Sequence, residues 1–123
     1  MTTRLEQQYP RVAAWLRTVP QGQQAELVRR LALHAARSAG LAVPDEGTDL
    51  VEWSAALDER GWTQDDDGDW SQAPSDFVRA RAASAVRHAA GATSATNTDE
   101  SLYESIAALG IDAVRAELGL AAP

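Results

Sequence analysis

Alanine supplies 25 of the 55 apolar residues in this chain, against twelve leucines, eight valines and two isoleucines. Few folds accept such a core. Alanine has the highest helix propensity and gives a strand face little to bury, so the excess points to helices and away from sheets. Helices that meet through alanine approach closely, and most burial then falls to the large side chains: the leucines, Phe77, Met1, two tyrosines and four tryptophans. A length of 123 residues suits one domain and can bury a core without disulfides. Cysteine is absent, which excludes disulfides, thiolate nucleophiles and thiolate metal sites together.

Local signals place the helices. Thr3 followed by Glu6 makes a capping box and predicts a helix from Arg4. Leu5, Tyr9, Val12, Leu16 and Val19 form one helical stripe interrupted by Pro10, which implies a kink, or a short helix and a fresh start with Pro10 in its first turn. A helix from about Gln21 to Ala39 is expected to end at a Gly40 cap. Val28, Leu31, Ala32, Ala35 and Ala39 share its inner face, while Glu26, Arg30, Leu33 and Arg37 point the other way. Asp49 and Glu52 open a further helix, which Gly61 is expected to stop after Arg60. Asp67-Gly68 is a strong turn signal between Trp62 and Trp70, and predicts a hairpin with the two rings opposite each other. Ser75 or Asp76 then caps a helix closed by Gly91. Asn97 with Glu100 caps another reaching Leu109, and Gly110 separates it from a short last helix, Asp112 to Leu118. The expected fold is mainly α: a single domain, residues 1–123, made of five or six helices with one small β-like hairpin around residues 62–73.

The net charge of −7 is unevenly placed. Residues 1–44 hold six arginines and two acids, residues 45–76 hold eleven acids against Arg60 alone, and residues 77–123 hold four arginines and five acids. The middle segment, at −10, disfavours nucleic acid and favours a partner with a basic surface. All eleven basic residues are arginine, as GC-rich bacterial coding sequences produce. The first residues hold no apolar signal-peptide core and no run approaches the ~18 apolar residues of a membrane span, so a cytoplasmic location and no membrane partner are expected.

Catalytic and metal motifs fare poorly. The run Asp65-Asp66-Asp67-Gly68-Asp69 suggests calcium, but with Gly68 at the sixth position of an EF-hand loop the aliphatic eighth position is Trp70 and the bidentate twelfth is Pro74. No metal site and no cofactor is expected. No phosphate-binding glycine loop, nucleophile elbow or H-E-x-x-H occurs, and neither His34 nor His88 has a neighbouring motif, so no enzyme activity is expected. Residues 101–118 have the outline of a helix-turn-helix around Ala-Leu-Gly-Ile-Asp, but the second helix offers Arg115 as its only cation, opposed by Asp112 and Glu117.

The expectation is a non-enzymatic protein-interaction module. Its binding residues would be Trp62, Asp65, Asp66, Asp67, Asp69 and Trp70, with Phe77, Arg81 and His88 alongside on the next helix. An acidic immunity-protein or antitoxin-like inhibitor of a basic partner is its concrete form. A DNA-binding or transcription-related protein using residues 101–118 is the alternative.

Overall fold

Thr3 and Glu6 cap the first helix as their spacing predicts: the Glu6 amide donates to Thr3 Oγ1 at 3.2 Å and the Thr3 amide donates to Glu6 Oε1 at 3.0 Å. The structure, a computed structural model, describes residues 2–44, 49–66, 73–90 and 94–119, with side chains at all of these but 60–66, 73–76 and 95. Among the described residues there are seven helices, one more than the expected five or six: α1 (Arg4–Gln8), α2 (Pro10–Thr18), α3 (Gln21–Ser38), α4 (Leu50–Asp66), α5 (Ala73–Ala90), α6 (Ala95–Leu109) and α7 (Ile111–Leu118). No strand occurs among the described residues.

Pro10 splits the N-terminal stripe into two helices. Tyr9 leaves the helical region at φ −135° and ψ 65°, and Pro10 takes the first position of α2, where its missing N–H costs nothing. The corner into α3 is tied by Gln24, whose Nε2 donates to the Leu16 and Val19 carbonyls at 2.9 and 2.8 Å. At the other end of α3, Gly40 sits at φ 68° and donates to the Arg37 carbonyl, and the Leu41 amide donates to the Ala36 carbonyl. That pair is a Schellman motif, and only glycine enters its left-handed turn without strain. Arg79 Nε, reaching across from α5, donates to the Ala39 carbonyl at 3.2 Å and adds a cation at this negative helix end.

Three boundaries differ from expectation. α4 does not stop at Gly61 but runs to Asp66, so residues 62–66 are helical and the small hairpin around 62–73 is not formed there; residues 67–72 lie outside the described residues. A single interior glycine costs about 1 kcal/mol, which helix continuation against a neighbour readily offsets, whereas an isolated two-stranded hairpin is marginal in water. α5 begins at Ala73, two residues before the expected cap, with Pro74 tolerated in its first turn. α6 begins at Ala95, because Ser94 caps it by accepting from the Asn97 amide at 3.2 Å, and Asn97 lies inside the helix. Gly110, at φ 91°, ends α6 and starts α7.

The core is built as an alanine excess requires. α5 packs on α3, α4 and α6, and α6 also meets α1, α3 and α7. Ala32, Ala35, Ala36, Ala82, Ala83 and Ala85 are fully buried, and Ser54, Ser101 and Ser105 take equally small places. Leu5, Leu16 and Leu102 supply the large buried side chains, and Trp15 and Trp53 pack half-buried against the same cluster. Leu33, expected on the charged face of α3, is half-buried. No described helix is long and apolar enough to cross a membrane.

The N-terminal cap responds to acid. The Thr3 amide, and then the Thr3 hydroxyl, hold the Glu6 carboxyl below the usual carboxylate range. A folded value lowered in this way adds stability above the unfolded value, and that stability is lost as pH falls through the lowered one. Thr3→Ala is expected to move the Glu6 titration midpoint upward in a carbon-13 NMR titration and to cost about 1–2 kcal/mol in urea unfolding.

Candidate functional site

The expected interaction residues divide into three groups. Trp62, Asp65 and Asp66 lie on the last turns of α4, with side chains outside the described set; Asp67, Asp69 and Trp70 lie outside the described residues altogether. Phe77, Arg81 and His88 stand on α5. Phe77 is half exposed, and the Arg81 guanidinium lies 5.6 Å from its ring centroid, so these two meet as the helical spacing predicts. Arg81 also turns inward. Its Nη1 donates to both oxygens of Glu104, at 3.1 and 3.0 Å, and its Nη2 pairs with Asp58. His88 is half-buried, with Nδ1 3.3 Å from Asn97 Oδ1.

The polar chemistry that dominates the interior was not expected from any segment alone. α6 carries Asp99, Glu100 and Glu104, and four side chains, from α1 with its cap, α2 and α5, bring cations or a hydroxyl to them. Arg17 of α2 grips fully buried Asp99 with both ends of its fork, Nη1 to Oδ1 at 2.8 Å and Nη2 to Oδ2 at 2.6 Å. Thr3 Oγ1 donates to Asp99 Oδ2 at 2.7 Å. Arg4 of α1 pairs with Glu100, donates to Glu104 Oε1 at 2.8 Å, and lies 4.5 Å from the Tyr103 ring centroid. Arg81 of α5 closes the line between Glu104 and Asp58 of α4. Carboxylates and guanidiniums thus alternate across five helices. Hydrogen bonding to Glu100 and Glu104 raises the Arg4 pKa, and bonding to Asp99 raises that of Arg17, each against the opposing effect of burial.

This seam ties the helices together, and each of its carboxylates is engaged by arginine. One signal could have exposed it in the sequence. Glu100 and Glu104 are like charges at i and i+4, a pairing that weakens an isolated helix and therefore asks for cations from elsewhere. Among the described residues no group of three or more His, Asp or Glu side chains is set to hold a metal ion.

The predicted helical corner at residues 101–118 forms, with α6 and α7 meeting at Gly110. Its second helix exposes Asp112 and Glu117, while Arg115 is half-buried. The large apolar side chains that stand exposed among the described residues are Val43 at 38 %, Val51 at 58 % and Phe77 at 50 %. Val43 and Phe77 flank the acidic segment, residues 45–76, in the sequence, and Val51 lies within it. No protein-family model, curated protein or solved structure matches the chain.

Proposed function

We propose that the chain is a non-enzymatic interaction module that docks a basic protein through the acidic segment and its apolar borders, as an immunity- or antitoxin-like inhibitor would. The observation that carries this reading is that Val43 and Phe77, which flank the −10 segment in the sequence, and Val51 within it all stand exposed. Apolar anchors supply affinity in such an interface, and a field of one sign accelerates encounter and rejects acidic partners. Single exposed apolar residues are common on any surface; their position in and beside one charged segment of the sequence is what supports the proposal. The competing reading, DNA binding through α6 and α7, draws support from the Gly110 corner but has few cations to neutralise phosphate.

The test is a pull-down of the tagged chain from extract of its own organism at two salt concentrations. The quadruple variant Asp65→Asn, Asp66→Asn, Asp67→Asn, Asp69→Asn and the single variant Phe77→Ser run in parallel. A stoichiometric basic protein is expected, weakened about tenfold in the quadruple variant and further by salt. Nucleic acid retained equally by all versions, and lost on Arg115→Ala, would replace this reading with the alternative.

A further inference from the structure

We infer that the groove between α3 and α7 is a binding site for a small carboxylate with an apolar body of about six carbons. Arg30, His34 and Arg37 follow one another at i, i+4 and i+7, so α3 sets three basic side chains along one edge of the groove. Leu27 and Leu31 of α3 and Leu118 of α7 supply the apolar lining. Glu117 of α7 completes the rim, its Oε1 3.6 Å from His34 Nε2.

Two observations select this occupant. The first is unspent charge. Arg4, Arg17 and Arg81 are all consumed by carboxylates of the buried seam, whereas Arg30 and Arg37 have no ion-pair partner among the described residues. Two guanidiniums against the single Glu117 leave the groove cationic in a chain whose net charge is −7. An arginine fork matches a carboxylate in shape as well as charge. The second is size. The groove encloses about 140 Å³, close to the roughly 150 Å³ cavity that accepts benzene in another protein. A body of that size fills the leucine-lined space while its carboxylate reaches the basic edge. The site lies on other elements than the acidic segment and does not depend on the interaction proposed for it.

The probe is benzoate, titrated into the nitrogen-15-labelled full chain, with benzamide as the neutral isostere and acetate as the anion lacking the body. Benzoate is expected to shift the amide signals of residues 27–37 and 114–119 saturably, with a Kd near about 1 mM for so small a ligand. Benzamide and acetate should each bind at least about tenfold more weakly, as should benzoate to the Arg30→Gln, Arg37→Gln double variant. Glu117→Gln should instead tighten benzoate about threefold by removing the opposing charge, a gain that loss of folding cannot imitate. The inference is overturned by equal affinity for benzamide or acetate, by shifts that persist in the double variant, by weakening in Glu117→Gln, or by no saturation up to about 10 mM.

Discussion

Arg17→Ala is expected to destabilise the protein by about 3 kcal/mol, and Asp99→Asn by only about 1–2 kcal/mol, although the two substitutions break the same ion pair. The asymmetry follows from burial. Asp99 is fully buried and the Arg17 side chain is 41 % exposed. Losing the arginine leaves a carboxylate in the interior with the Thr3 hydroxyl as its remaining side-chain donor. Losing the carboxylate frees the guanidinium to reach water and leaves an amide that still bonds to Thr3. A surface ion pair would show neither the size nor the inequality, since such pairs contribute about 0–1 kcal/mol from either side. Urea unfolding of both singles and the double variant gives the comparison. In the Asp99→Asn background Arg17→Ala should cost about 1 kcal/mol, leaving a coupling of about 2 kcal/mol. A cost for Arg17→Ala below about 0.5 kcal/mol would show that Asp99 is solvated.

That pair also shows where the sequence stops being legible. What depends on a few neighbouring residues could be read from it: the Thr3–Glu6 box, an interruption at Pro10, the Gly40 cap of α3 and the corner at Gly110 all rest on contacts within about one helical turn. The line of arginines and carboxylates rests on partners 82 to 100 residues apart in the cases of Arg17–Asp99 and Arg4–Glu104, and no local window contains both members. The misread of α4 has a different origin. Asp67-Gly68 is a strong hairpin signal by itself, but its weight falls when the flanking residues can extend a helix that already packs along α5. On the candidate site, helical spacing correctly joined Phe77 with Arg81, yet it could not show that Arg81 also serves the buried seam.

The alanine content has one further consequence, which sets the second large effect. Leu102→Ala is expected to cost about 4 kcal/mol, toward the upper part of the range for buried leucines. The spread within that range reflects how far the surroundings collapse into the vacated space. Leu102 is fully buried on α6, in a cluster that also holds Ala85 and Ala89 of α5 and Ala32 and Ala36 of α3. Each alanine has no side-chain torsion by which to lean into a cavity, so fewer neighbours can fill it. On the alanine side closure needs a shift of whole helices, and the arginine seam that binds α1, α2, α4 and α5 to α6 resists such a shift. For 123 residues the loss corresponds to a fall in Tm of about 15 °C. Conservative Ile106→Val, which removes one methylene from the same cluster, should cost only about 1 kcal/mol. Urea midpoints with unchanged m-values would establish that both act on the folded state. A Leu102→Ala cost below about 2 kcal/mol would mean that the helices do slide together, and that the seam is softer than its geometry implies.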